Sequence, residues 1–167
     1  EETTDVYVVP EVALQENTIP EITELIDNYY TAQAEGDVDT IRSLVSDIEE
    51  SEVLRIVETS KYVENYPSLE IYTKAGPVDN TYIVYVCSEL KFTDYDDLFP
   101  GMKVFYVCVD ENGQYYINES EEGSDNELTY IREVTLQDDV VDLNNKVAAA
   151  YNDMVAENPE LAQFILD

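Results

Sequence analysis

The apolar positions first recur with helical spacing, then alternate, then return to helical spacing. Ile22, Leu25, Ile26, Tyr29 and Tyr30 fall at i, i+3, i+4, i+7 and i+8, one face of an amphipathic helix. Thr18-Ile19-Pro20-Glu21 supplies its start, with proline and an acid in the first turn, and Gly36 ends it. Asp37 stands where it can cap a second short helix carrying Val38, Ile41, Leu44 and Val45. A third helix is expected from Ser51, burying Val53, Leu54 and Val57 and fading near Tyr66-Pro67. From Leu69 the period is two, which predicts strands over 69–74, 81–92, 102–110 and 114–118. Gly76-Pro77 and Asp79-Asn80 mark the first turn, Phe99-Pro100-Gly101 the second, and 121–127 reads as a polar loop or strand end. Val140, Leu143, Val147, Tyr151 and Met154 then form a second helical stripe. Asn158-Pro159-Glu160 opens a last short helix with Leu161, Phe164 and Ile165 facing inward. Ahead of the first helix, residues 6–10 read as an extended arm ended by Pro10.

The faces of the two long strands predict how the layers stack. If the loop around 95–100 joins them as an antiparallel pair, Cys87 falls roughly opposite Cys108. Tyr82, Val84, Val86, Leu90 and Phe92 then share a face with Phe105, Val107 and Val109, almost purely apolar and suited to pack on the first helix. The other face carries Ile83, Tyr85, Cys87, Val104, Tyr106 and Cys108, too apolar to face water. The C-terminal helices are the preferred cover; the same face of a second subunit is the alternative.

Composition changes this picture mainly by exclusion. A chain of 167 residues with 44% apolar and 28% charged residues has enough apolar mass for one real core. Its 38 acids and 8 bases give a formal charge of -30, and the bases are scattered singly, which excludes nucleic acid as a partner. There is no histidine, so neither a Ser-His-Asp nor a Cys-His catalytic set is available, nor an imidazole metal site. Asp110-Glu111-Asn112-Gly113 lacks the upstream acids and terminal glutamate of a calcium loop and reads as a hairpin turn with Gly113 at positive φ. No catalytic residue, metal ligand or cofactor is assigned. No 18-residue apolar run exists to span a membrane. The polar start at Glu1 is not a signal peptide and reads as that of a processed piece, any export signal lying upstream.

Two side-chain groups merit a site reading. Cys87 and Cys108 are either two buried small side chains or a cross-strand disulfide. Neither is a catalytic thiolate, since no histidine can activate it. Among fourteen tyrosines, Tyr29, Tyr30, Tyr62, Tyr66, Tyr72 and Tyr82 are candidates to line a pocket between helices and sheet, against the simpler expectation of core and rim packing.

Residues 21–39 (EITELIDNYYTAQAEGDVD) run through a long helix, Tyr-Tyr, an alanine and Glu-Gly-Asp into a short helix. This passage resembles the opening of the cone-shaped nuclear transport factor 2-like superfamily. Residues 72–86 and Phe99-Pro100-Gly101 are similar to secreted or cell-envelope versions from Gram-positive bacteria, and the likeness spans roughly residues 19–118. The resemblance implies an α+β cone, N-terminal helices on a curved antiparallel sheet, with added C-terminal helices. The divisions are an arm over 1–17, the domain over 18–135 and a helical extension over 136–167. It further implies an extracellular or cell-envelope setting and a non-catalytic interaction, spacer or ligand-binding role, with a protein or a small apolar ligand as partner, as a monomer or homodimer. The superfamily also holds isomerases and lyases that use an aspartate–tyrosine pair, the rival reading, although no residue here maps onto that pattern. Dimerisation through the Tyr85/Tyr106 face is the third.

Overall fold

A computed structural model of the chain describes residues 9–118 and 125–166, with side chains for 9–118 and 127–164. Expectations for residues 6–8, for most of 121–127 and for the Ile165 side chain lie outside these. Among the described residues the chain is α+β. It runs β1 (Gln15–Glu16), α1 (Pro20–Glu35), α2 (Val38–Leu44), α3 (Glu50–Ser60), β2 (Val63–Ala75), β3 (Thr81–Phe92), β4 (Phe99–Val109), β5 (Tyr115–Ile117), α4 (Asp125–Thr135), α5 (Asp138–Glu157) and α6 (Pro159–Leu166). The five strands form one antiparallel sheet in the order β1-β2-β3-β4-β5, which is not closed.

Local chemistry accounts for the N-terminal helices. Pro20 sits at the first turn of α1, where a missing N–H costs nothing, and Gly36 takes φ 69° to terminate it. Asp37 caps α2 by accepting the Thr40 N–H. α3 buries Val53 as expected, but with Ile56 in place of Leu54 and Val57. Val53 and Ile56 are buried, whereas Leu54 is 66% and Val57 37% exposed. Both pairs have i, i+3 spacing about 100° apart around the helix, so periodicity alone could not choose between them.

The sheet also departs from expectation at its strand ends. β2 begins at Val63, well before 69, and absorbs Pro67 through register shifts between Val63 and Ser68. Phe99, Pro100 and Gly101 are strand rather than turn, opposite Leu90, Glu89 and Ser88. This corrects the predicted register. Cys87 pairs with Met102 and Cys108 with Thr81, placing the cysteines six register positions apart, roughly 20 Å of strand.

Two apolar layers sandwich the sheet. On one face Val84, Val86, Phe105 and Val107 pack with Ile22, Leu25, Ile26 and Tyr29 of α1, as predicted. On the other, Ile83 and Tyr85 are buried with Tyr130 and Val134 of α4 and Val140 of α5, so the C-terminal helices are the cover. α4 was not anticipated. Leu90 and Phe92, assigned above to the α1 face, join Met154 of α5 and Leu161 of α6 in a third cluster at the far end of β3.

Candidate functional site

The six candidate tyrosines do not converge on one space. Tyr29 and Tyr30 are buried in the α1 core, edge-on to each other at 5.9 Å, and both contact Phe105. Tyr66 meets Tyr30 at 4.8 Å. Burial, then the neighbouring Tyr66 and Tyr29 rings, push the Tyr30 phenol far above its ordinary value. Tyr82 stacks on Tyr115, Tyr62 is half exposed beside Phe164, and Tyr72 packs on the opposite face of the sheet. The hollow between α1 and the sheet is thus occupied by interlocking rings. Tyr85 is fully buried beneath α4, its hydroxyl 3.0 Å from Thr135 Oγ1, so that side chain presents no surface to a second subunit.

A groove lies instead on the other face of the sheet. It has a volume of about 510 Å³ and runs between α5 and the β2–β3–β4 surface. Leu98, Pro100, Leu143, Val147, Ala150 and Met154 give it an apolar lining, with Cys87 on the strand side. Glu70, opposite Cys87 in the sheet, and Lys146 mark one end of the groove. Asp97, Asp153 and Glu157 lie toward the other, where α5 finishes and Asn158 Nδ2 donates to Asp97 at 3.0 Å, and Glu89 joins the lining from β3. The Cys87 thiol is pushed up to about 11, by burial first and Glu70 second, with Lys146 opposing. It is therefore protonated at neutral pH and a poor nucleophile. None of the six tyrosines lines this groove.

A smaller cleft of about 260 Å³ lies between α4 and the β2–β3 turn and includes Tyr106, Cys108, Tyr116 and Asn118. Burial raises Cys108 as well, against hydrogen bonds from Asn118, Tyr106 and Tyr116. Both cysteines are free, as the corrected register requires. Disulfide geometry demands Cβ atoms about 4 Å apart, and strand positions this far apart cannot supply it.

One polar cluster was missed in the sequence. Lys74 is wholly buried, and its ammonium donates to Asp139 Oδ1 at 2.8 Å, Gln137 Oε1 at 2.9 Å and the Val134 carbonyl at 3.1 Å. The same side chains hold the N-terminal segment: Gln137 accepts from the Val12 N–H and donates to the Pro10 carbonyl, and Asp139 accepts from the Leu14 N–H. Every donor of Lys74 is satisfied within the fold, so the cluster fastens the sheet, the N-terminal segment and the α4–α5 junction together. The signal available was a lone cation at a core-facing position of β2, paired with Ile83. The groove acids had a fainter one, Lys146, Asp153 and Glu157 flanking the α5 stripe at spacings of seven and four.

Among the described residues, no cluster of three or more acids and cysteines is placed to hold a metal ion, and no helix is long and apolar enough to cross a membrane. The carboxylates whose titration is displaced, Asp37, Glu52 and Asp139, all move down, held ionised by hydrogen bonds or ion pairs, and none lines the groove. No protein-family model, curated protein or solved structure matches this chain.

Proposed function

We propose that this chain is a non-catalytic, extracytoplasmic ligand-binding module on a nuclear transport factor 2-like α+β cone, its C-terminal helices making one sheet face into a binding groove. The observation that carries the reading is the 510 Å³ groove, within the size range of small-molecule sites and lined by apolar side chains with charged groups at its ends. Its chemistry suits holding rather than turnover. The Cys87 thiol is protonated, no histidine exists in the chain, and no carboxylate lining the groove among the described residues is displaced toward a general acid or base. The cone assignment is supported by three N-terminal helices followed by long antiparallel strands with α1 filling one face. The extracytoplasmic setting rests on the resemblance in residues 72–86 and 99–101.

The test is a small-molecule panel followed by amide chemical shifts. Shifts should cluster on α5 and the neighbouring ends of β3 and β4. Val147→Trp, which fills the groove, should remove them while the fold persists. Turnover of any panel member, abolished by one groove substitution, would overturn the non-catalytic reading.

A further inference from the structure

We propose that the outer face of α3 is a homodimer contact, in which two copies of the helix pack antiparallel about a twofold axis. α3 packs on α1, α2 and β2 with Val53 and Ile56 buried, and its outer face carries a second apolar pair, Leu54 and Val57. Leu54 is the most open of the large apolar side chains among the described residues. A single exposed leucine is ordinary. What sets this face apart is its order along the helix. Glu50, Leu54, Val57 and Lys61 fall at i, i+4, i+7 and i+11, within about 60° of one another on a stripe roughly 16 Å long. α3 contributes no residue to the groove beside α5, so the two surfaces are separate.

The stripe is complementary to its own reverse. Run antiparallel about a centre between Arg55 and Ile56, it sets Glu50 against Lys61 of the second copy and Leu54 against Val57 of the second copy, and each contact occurs twice. A twofold contact requires this reciprocity. An apolar seam flanked by opposite charges is also what pairs helices and sets their orientation.

Charge favours a second copy over a basic partner. At a formal charge of -30 the chain repels itself across an ordinary acidic face. On α3 that repulsion is cancelled locally: Arg42 pairs with Glu50 at 2.8 Å, Lys61 with Glu58 at 2.9 Å, and Arg55 with Glu52. Three bases meet three acids here, whereas the whole chain has 8 against 38. A basic partner gains more from the acidic faces than from this neutral one. The three ion pairs are exposed and exchange partners at little cost. At physiological ionic strength the screening length of about 8 Å separates the contact from acids elsewhere. A two-helix contact of this length is small, so the dimer is weak and concentration-dependent.

Sedimentation equilibrium from about 10 μM to about 1 mM, at roughly 0.15 M salt, tests this. The mass should rise from 19.0 kDa toward twice that value. Leu54→Gln with Val57→Gln should weaken association more than about tenfold while circular dichroism stays unchanged. Leu136→Gln, at an exposed apolar position between α4 and α5, should not weaken it. Glu50→Lys and Lys61→Glu should each weaken it about threefold to tenfold, and mixing the two variants should restore it, since each supplies the charge that the other lacks. A chain that stays monomeric at the highest concentration would overturn the proposal, as would a dimer that survives the Leu54/Val57 pair. Strengthening by Glu50→Lys, or no recovery on mixing, would reduce the effect to net charge and overturn the antiparallel pairing. Masses beyond the dimer would mean a head-to-tail contact and would overturn the twofold.

Discussion

Lys74 offers the sharpest test of how this fold is held. Its side chain has no exposure, and its counter-charge among the described residues is Asp139, whose side chain is 40% exposed. The two ends of this pair should therefore respond differently to removal. Asp139→Asn keeps the shape but leaves an ammonium in the interior with neutral acceptors alone, Val134 O, Gln137 Oε1 and the new amide oxygen. Stranding a buried charge costs about 3–5 kcal/mol. Lys74→Met has a similar volume and removes the buried charge itself. The carboxylate it leaves can reach water and still accepts from the Leu14 and Val140 N–H groups. Gln137 Oε1 likewise keeps the Val12 N–H. That variant should lose about 1 kcal/mol. The double variant Lys74→Met/Asp139→Asn should be more stable than Asp139→Asn alone.

Urea unfolding at pH 7, followed by far-ultraviolet circular dichroism, separates these cases through the midpoint at constant slope. The pH dependence supplies a second reading. Burial raises the Asp139 carboxyl, but the hydrogen bond and charge of Lys74 and the Leu14 and Val140 N–H groups outweigh it, so the net shift is downward. A depressed folded-state value gives stability that is complete above the unfolded value, about 3.9, and is lost as pH falls through the folded one. The gap between wild type and Asp139→Asn should hold from pH 7 to 5 and close below about pH 4. Lys74→Met costing as much as Asp139→Asn, or a gap that persists into acid, would refute the argument.

Three substitution experiments and one thiol count follow from the same structure. Ile26→Ala, at a fully buried position against the sheet, should cost about 2–5 kcal/mol in urea unfolding, while Leu54→Ala on the exposed face of α3 should stay within about 0.5 kcal/mol. Gly36→Ala should cost about 2 kcal/mol, because φ is positive there and an added Cβ would lie 2.5 Å from Ser60 Oγ; a neutral result by the same assay would contradict the α1–α3 contact. Glu157→Lys should raise the thermal midpoint slightly, by about 0.5 kcal/mol of helix-end electrostatics. Alkylation of the denatured chain without reductant, weighed by mass spectrometry, should find two modified cysteines; none would restore the cross-strand disulfide.

The layer order was legible in the sequence because side-chain direction along a strand depends only on parity. The predicted pairing set Cys87 against Cys108, six positions from the observed partners, yet six is even, so the shift leaves the alternation of faces between β3 and β4 intact. Val84 and Phe105 therefore met α1 as expected despite the wrong register. What failed was information carried by neither period nor parity. Phe99-Pro100-Gly101 reads as a turn, but β4 accepts all three, with Pro100 opposite Glu89. α4 was hidden because its buried residues, Tyr130 and Val134, are few and its start adjoins an acidic run in the sequence. The tyrosines misled for a related reason: one residue type serves cores and pockets alike, and only the coordinates show Tyr29, Tyr30 and Tyr66 packed ring against ring.

Acidic composition obscured the site in a different way. With 38 acids in the chain, finding carboxylates beside any groove is expected, and their number there carries little information. Position carries it, and the two ends of α5 make the contrast. Asp138 and Asp139 occupy the first turn, where the helix dipole favours them, and Asp139 fastens the helix to Lys74. Asp153 and Glu157 approach the opposite pole, where the dipole disfavours them and no cation stands in the last turn. The fastening at the N-terminal end positions the wall of the groove, so the helix carries the unfavourable charge at its far end without losing its place on the sheet.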